Sequence, residues 1–257
     1  KYVLGIEPPE EYEIDPSVWL DALEKGTLLH SVFRQFMATL LKKKRVPKFP
    51  LDEDILYKIM DRHIKEARAK ISPPNDTVFE RDCRELRQTA RIFLMEEAEF
   101  CRESRPMYLE TALGLKPEGD GTDLDQGSPV IIVLADNREI RVRGRVDRVD
   151  EISTEKGVRY VVWDYKTGGS YGFDERDPFR GGRKIQSVLY LAMIEDRLRE
   201  KVSPDAVVER FGYFFPNVRE HGRRISWSAR DLAGGIEIVT RLCDMISGGC
   251  FPFTDDP

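Results

Sequence analysis

An acidic residue and a lysine, separated by one position, stand at the end of a short apolar run. The run reads VVWDYKTG over residues 161–168. Side chains alternate between the two faces of a strand, so Asp164 and Lys166 are expected on one face. Trp163 and Tyr165 are expected on the other. A carboxylate beside an ammonium is usually a surface ion pair, and a further acidic group is needed before this pair indicates a reactive site.

The preceding segment supplies that acidic group. Residues 144–150 read GRVDRVD, and a return through residues 155–157 brings Asp147 beside Asp164 if the two segments pair as antiparallel strands. Two carboxylates about 4 Å apart repel by roughly 4 kcal/mol at an effective dielectric constant of 20. Lys166 offsets part of this repulsion, and a divalent cation offsets it fully. Oxygen ligands of this kind suit Mg²⁺ or Mn²⁺, so the two segments predict a metal site.

The elements that must position this site follow from hydrophobic periodicity. Apolar spacings of three and four predict helices from Asp15 to the basic run at Lys42, with Gly26 as a candidate break, and over residues 52–69, 76–101, 184–201 and 232–246. Alternating or β-branched runs predict strands over residues 107–113, 129–134, 140–150, 158–166 and 207–215.

We expect the strands between residues 107 and 166 to form an antiparallel meander. The order of helices and strands predicts an α/β fold with a mixed central sheet flanked by helices. The chain is expected to be a single domain, residues 1–257. In it, a helical elaboration over residues 1–105 packs on an αβ core over residues 106–257.

Composition excludes several classes of protein. The 257 residues are 40% apolar and 34% charged, and the formal net charge is −5. Contact with nucleic acid must therefore be local, because the whole chain is not a polyanion-binding surface. No apolar run approaches the ~18–20 residues of a transmembrane helix, and no signal peptide is evident, so we expect a soluble, cytoplasmic protein without a membrane partner. The irregular spacing of the cysteines predicts free thiols at Cys83, Cys101, Cys243 and Cys250.

The motifs, taken together, resemble a known family. Asp147, then sixteen residues, then Asp164-x-Lys166 has the form of the PD-(D/E)xK nuclease signature. With GTLLH at residues 26–30 and QSVLY at residues 186–190, the sequence is similar to the RecB-like nucleases. These include the nuclease domains of the RecB and AddB helicase–nucleases. Four motifs in the expected order make the resemblance specific, and it implies a restriction-endonuclease-like core.

The resemblance implies a metal-binding role for several residues. Asp147 and Asp164 would hold Mg²⁺ or Mn²⁺, assisted by the backbone carbonyl of Tyr165 and by the neutral imidazole of His30. Glu110 resembles an acidic position near the family's site and is a candidate outer ligand. On the sequence alone, a histidine on an apolar helix is more often a core residue.

Catalytic roles are implied for a second group of residues. Lys166 would orient or activate the attacking water and stabilise the charge that builds on the phosphate. Gln186 and Tyr190 lie one helical turn apart and would hold phosphate oxygens or fix Lys166. The alternative for these two residues is a surface glutamine and a core tyrosine.

Basic and aromatic residues near the motifs predict where DNA binds. A loop rich in glycine and arginine joins the Lys166 strand to the Gln186 helix and is expected to follow the phosphate backbone. A second basic group precedes the last helix, and an aromatic residue after Lys166 is a candidate for stacking on bases. The candidate DNA-binding residues are Arg180, Arg183, Lys184, Tyr171, Arg223 and Arg224.

The implied activity is metal-dependent cleavage of DNA. A single strand would be delivered by a helicase motor during double-strand-break repair and recombination. The sequence contains no G-x-x-x-x-G-K-[ST] loop, so the motor must lie in another part of the protein or in an AddA-like partner. Two alternatives stay open, a free-standing RecB-like exonuclease of phage or CRISPR-associated type, and a degenerate DNA-binding domain that has lost cleavage.

The two ends of the chain carry a further resemblance. The opening KYVLGI and the closing FPFTDDP are similar to stretches that, in AddB-type members, lie just inside an iron–sulfur staple. In those relatives one cysteine precedes the first stretch and a C-x-x-C-x₅-C group follows the last. Neither flank occurs in this sequence. We therefore expect a fragment of a longer polypeptide, with the cluster ligands outside this chain.

Overall fold

The computed structural model describes residues 15–250. The two end stretches, whose resemblance is given above, lie outside these residues. Five helices and seven strands are described: α1 (Ala22–Lys42), α2 (Glu53–Lys70), α3 (Asp76–Phe100), β1 (Ser104–Leu113), β2 (Val130–Val133), β3 (Glu139–Val142), β4 (Gly144–Thr154), β5 (Gly157–Tyr165), α4 (Gln186–Lys201), β6 (Val208–Phe215), β7 (Arg223–Ser228) and α5 (Gly235–Ser247).

A five-stranded mixed sheet forms the centre of the fold, in the order β1-β4-β5-β6-β7. Its strands pair antiparallel except for β5 and β6, which are parallel and are connected through α4. A parallel pair requires such a crossover, because a tight turn cannot reverse the chain twice. The expected α/β class with a mixed sheet is therefore confirmed.

The expected meander is wrong. The predicted strand over residues 140–150 divides at Arg143 into β3 and β4. β3 pairs with β2 as a separate two-stranded sheet, while β4 returns to pair with β1 along most of its length. The ten-residue β1 and the eleven-residue β4 bury far more surface together than β4 could bury against the four-residue β2.

A strand that the apolar pattern did not predict closes the sheet. β7 alternates buried Ile225 and Trp227 with more exposed neighbours and pairs with β6. Its two arginines gave it the appearance of a basic surface segment, although alternation over six residues is itself a strand signal.

Two apolar cores cover the two faces of the sheet. Helices α1 to α3 pack on one face against the side chains of Trp163, Tyr165 and Phe214. The other core contains α4 and apolar residues of β2, β4 and β6. The predicted opposite orientation of Trp163 and Tyr165 relative to Asp164 is confirmed, because only the two aromatic residues belong to the first core.

Helix α1 begins later than predicted. Its first residue is Ala22, and Asp21 forms a capping box with Glu24, whose backbone N–H donates to the Asp21 carboxylate at 2.7 Å. The helix also continues through Gly26 without a break. The four cysteines are free thiols, as expected. Among the described helices, none has the length and apolar character needed to cross a membrane.

Candidate active site

The turn between β4 and β5 brings the two predicted aspartates together. Arg148 pairs with Trp163, which sets Asp147 and Asp164 side by side at the next position along the ladder. The backbone N–H of Tyr165 donates a hydrogen bond of 2.7 Å to Asp147 Oδ2. Asp147 is therefore held by the strand that carries the second aspartate.

A third carboxylate comes from β1 through an unusual backbone conformation. Glu110 has φ of +54°, in the left-handed region that residues with a side chain seldom adopt. It lies between Leu109, which pairs with Arg148, and Thr111, which pairs with Val146. A strained residue inside a regular strand costs of order 1–3 kcal/mol and persists where the surroundings require it. Here it directs a carboxylate towards Asp147.

Three side chains of this group form a potential metal-binding cluster. One ligand atom each from His30, Glu110 and Asp147 lies within 4.8 Å of the others. His30 Nδ1 is 3.5 Å from Asp147 Oδ2. An imidazole nitrogen with several carboxylate oxygens is a donor set that suits Mn²⁺ or Mg²⁺, so these residues fit the divalent cation that the sequence predicts.

The electrostatics of the cluster also call for a cation. Burial and the neighbouring Asp147 carboxylate raise the pKa of Glu110 to about 7. Burial and Asp147 likewise raise the pKa of Asp164 to about 6, although Lys166 opposes this shift. Burial disfavours the charged form of His30, but the Asp147 carboxylate beside it prevails and raises its pKa. The negative charge of the cluster is therefore only partly compensated within the protein.

Lys166 and Gln186 complete a hydrogen-bonded group with Asp164. Lys166 Nζ lies 2.5 Å from Asp164 Oδ2. The Gln186 amide donates to Asp164 Oδ1 at 3.0 Å, and its carbonyl oxygen accepts from Lys166 Nζ at 3.5 Å. The Tyr213 hydroxyl donates to the same Gln186 oxygen at 3.3 Å. The side-chain orientation of Gln186 is thus fixed from two sides.

Tyr213 is a site residue that sequence reasoning missed. It lies on β6 directly beside Asp164 on β5. No sequence signal links these two positions, because the parallel pairing is made only after the chain has passed through α4.

Two glycines of the sequence motifs allow close approach to the site. A Cβ at Gly26 would lie 3.1 Å from the Thr167 hydroxyl, so the glycine lets α1 approach the end of β5 and deliver His30. A Cβ at Gly144 would lie 2.8 Å from the ring of Tyr190. Both motif glycines are therefore explained by packing.

A single cavity of about 570 Å³ collects the residues predicted for metal binding and catalysis. Its lining includes His30, Glu110, Asp147, Asp164, Tyr165, Lys166, Gln186 and Tyr190.

The candidate DNA-binding residues lie outside the lining of this cavity. In the loop that leads to α4, Arg180 and Arg183 are exposed, and Tyr171 is 92% exposed. Lys184 Nζ lies 4.5 Å above the ring of Phe173. This loop therefore presents cations and one aromatic ring to solvent beside the site.

The two arginines of β7 have different surroundings. Arg223 is about half exposed and donates to the Ser170 hydroxyl at 3.2 Å. The Arg224 side chain is only 16% exposed, donates to Glu97 at 2.9 Å and lies 3.8 Å above the ring of Phe214. The structure thus places Arg224 in an internal ion-pair network.

The fold and the site together define a class of protein. A mixed sheet whose neighbouring strands carry Asp147 and Asp164-x-Lys166 into one cavity is the arrangement that the PD-(D/E)xK signature describes. Residues 1–257 match the model of the PD-(D/E)XK nuclease superfamily, and the chain belongs to this superfamily.

Individual relatives support the narrower resemblance to AddB-type proteins. The chain is 29% identical over 189 residues to the AddB component of the ATP-dependent helicase/deoxyribonuclease of Oenococcus oeni, which covers 70% of this chain and 16% of the relative. The component of the same name from Clostridium acetobutylicum is 26% identical over 230 residues, covering 81% of this chain and 17% of the relative. The chain thus spans about a sixth of the length of these relatives.

Proposed function

We propose that this chain is a metal-dependent nuclease domain that hydrolyses phosphodiester bonds in DNA. The observation that carries the proposal is the convergence of His30, Glu110 and Asp147 with the Asp164–Lys166 pair in one cavity. Membership of the nuclease superfamily supports the reaction class. The relatives' name, helicase/deoxyribonuclease, supports DNA as the substrate.

The cation would be held by side chains of the cluster. Asp147, Asp164 and Glu110 offer oxygen ligands, His30 offers nitrogen, and the Tyr165 carbonyl is a further candidate. A bound Mg²⁺ or Mn²⁺ supplies Lewis-acid polarisation of a phosphate oxygen and a lowered pKa of bound water.

Lys166 carries the remaining chemistry of the site. Its ammonium is a compact charge that stabilises the developing negative charge on the phosphate and orients the attacking water. Gln186 restrains Lys166, and Tyr213 restrains Gln186. Tyr190 lies at the same cavity and is proposed to contact phosphate oxygens.

The loop before α4 is proposed as the path of the DNA strand. Arg180, Arg183 and Lys184 would contact phosphates, and the exposed ring of Tyr171 would stack on a base. Arg223, at the same end of the sheet as this loop, is a further phosphate candidate. Arg224 is not included, because its guanidinium is engaged by Glu97 inside the protein.

We further propose that the domain acts within a helicase–nuclease during double-strand-break repair. The motor would unwind the duplex and deliver a single strand. This role rests on the names of the relatives, of which the chain covers only a part.

A cleavage assay tests the proposed activity. Labelled single-stranded and duplex DNA are incubated with the protein in Mg²⁺, in Mn²⁺ and in EDTA. We expect products only with metal, and a loss of about 10²-fold or more in Lys166→Met and Asp164→Asn. Lys156→Met and Asp205→Asn change the same residue types at exposed positions and should retain activity.

Stability measurements separate loss of chemistry from loss of fold. Because burial and Asp147 disfavour the charged form of Asp164, the Asp164→Asn variant should be at least as stable as the wild type in metal-free buffer. Equal DNA loss with and without chelator, or full activity in either variant, contradicts the proposal.

A further inference from the structure

Two arginines outside the predicted site face the same cavity as the metal-binding residues. Arg34 follows His30 by one helical turn on α1, and Arg145 precedes Asp147 by two residues on β4. These spacings place each arginine on the same side of its element as the neighbouring site residue. Both arginines line the 570 Å³ cavity.

A single carboxylate lies between the two guanidinium groups. Arg145 Nη1 donates to Glu118 Oε1, and Arg34 Nε lies 4.0 Å from Glu118 Oε2. Arg145 Nη2 also donates to the carbonyl oxygen of Lys116 at 3.0 Å. The segment that carries Glu118 thus covers part of the cavity and presents an anion to both arginines.

Two guanidinium groups that share one anion form a site suited to phosphate. Guanidinium donors bind carboxylate and phosphate oxygens in the same forked geometry. Arg145 Nε is buried and has no hydrogen-bond partner, so this side chain has donor capacity that Glu118 does not use. A phosphate, which has more acceptor oxygens, can use it.

Glu118 is poorly placed for a purely structural ion pair. Its charge adds to a cavity that already contains Glu110, Asp147 and Asp164, and it is one of the groups that raise the pKa of Glu110. An anion that belongs to the substrate would use the same two arginines without leaving a permanent negative charge beside these carboxylates.

The segment is also lightly attached. The Lys42–Asp120 pair that links it to α1 is 2.7 Å long, but its side chains are 71% and 81% exposed, and such pairs contribute little to stability. Gly119 and Gly121 have φ of +65° and +69°, so the segment turns at residues that tolerate backbone rearrangement.

We propose that Arg34 and Arg145 form a phosphate-binding subsite beside the metal-binding residues, and that Glu118 occupies it until a phosphate of single-stranded DNA displaces the segment over residues 115–123. This inference rests on the proposed function, since its ligand is the substrate of that function. It adds a substrate-binding position and a carboxylate that competes with the substrate.

Binding of a fluorescein-labelled (dT)₂₀ oligonucleotide, measured by anisotropy, tests the inference. The chain carries Lys166→Met so that the probe stays intact in Mg²⁺, and a gel verifies this. Adding Glu118→Gln should tighten binding by about two- to five-fold, the factor that corresponds to one exposed ion pair. Adding Arg34→Gln or Arg145→Gln should weaken binding and reduce the slope of log K against log salt by about 0.7 each.

Two controls distinguish a specific competitor from general charge. Asp120→Asn removes a carboxylate from the same segment without touching either arginine and should change the affinity less than Glu118→Gln does. In the Arg34→Gln/Arg145→Gln background, Glu118→Gln should bring no gain.

Three results would overturn the inference: equal tightening by Asp120→Asn, unchanged or weaker binding with Glu118→Gln, or weaker Mn²⁺ binding with Glu118→Gln, which would make Glu118 a metal ligand. Absence of metal-dependent cleavage by the wild type instead rejects the proposed function. The two failures are separable because anisotropy does not depend on turnover.

Discussion

At the scale of single residues, the site is organised around charge that the protein itself does not neutralise. Glu110 is held in a left-handed conformation, and Asp164 is almost fully buried. Neither arrangement favours stability, because one costs backbone strain and the other desolvates a carboxylate. Such features are retained where a ligand benefits from them, and a divalent cation is the ligand that these carboxylates fit.

The raised pKa values predict pH-dependent metal binding. Protons must leave Glu110, with a pKa of about 7, and Asp164, with a pKa of about 6, before both can bind a cation. The affinity for Mn²⁺ should therefore rise from pH 5.5 to 7.5, by about tenfold per pH unit for each proton released, and then level off.

Calorimetry in buffers of different ionisation enthalpy measures the number of protons released. Glu110→Gln should bind Mn²⁺ more weakly and should lose the pH dependence near 7, while keeping that near 6. An affinity that is constant between pH 5.5 and 7.5 would show that these carboxylates are not ligands.

At the scale of elements, β4 carries opposite functions on its two faces. Asp147 faces the cavity, and the next residue, Arg148, enters an ion-pair network on the other side of the sheet. Arg148 Nε lies 2.5 Å from Asp150 Oδ1, Nη1 donates to Glu97 on α3, and the Tyr165 hydroxyl is 3.4 Å away. The network connects α3 to the two strands that hold the aspartates.

Removing the central charge of this network should be costly. Arg148→Met leaves Glu97 and Asp150 buried without their main partner, and breaking a buried pair in this way destabilises a protein by about 3–5 kcal/mol. Urea unfolding measures the change, with Arg141→Met on the exposed strand β3 as the matched control. A loss below 1 kcal/mol would show that the network does not hold α3 to the sheet.

At the scale of the whole molecule, a net charge of −5 coexists with a local concentration of cations. Arg180 Nη1 and Lys184 Nζ both lie close to Gly172, and Lys184 has its pKa lowered by burial and then by the nearby Lys166 and Arg180. Like charges brought together on an acidic protein indicate a surface for an anion.

This distribution predicts how salt affects DNA binding. Arg180→Gln/Lys184→Gln should weaken binding of a single strand and reduce the slope of log K against log salt by about 1.4, since each phosphate contact contributes about 0.7. A titration of labelled oligonucleotide between low and moderate salt measures the slope. Lys156→Gln, at an exposed turn, should leave it unchanged, and an unchanged slope in the double variant would exclude this loop as the strand path.

The sequence by itself determined the elements and the central pair of aspartates. Strands β4 and β5 are consecutive and joined by a tight turn, so alternation and local pairing suffice to set Asp147 beside Asp164 and to orient Lys166. The motif glycines and His30 followed from the family resemblance, and their packing reasons came from the structure.

Only the tertiary structure decided the contacts between distant segments. Arg224 was assigned to DNA on its charge, but Glu97, 127 residues away, engages it inside the protein. Tyr213 reaches Gln186 only because β6 returns beside β5, and Glu118 meets Arg34 only where its loop crosses α1. Periodicity reports which face of an element a residue occupies. It does not report which of several chemically equivalent partners the packing will bring there, because that choice depends on the burial of the whole chain.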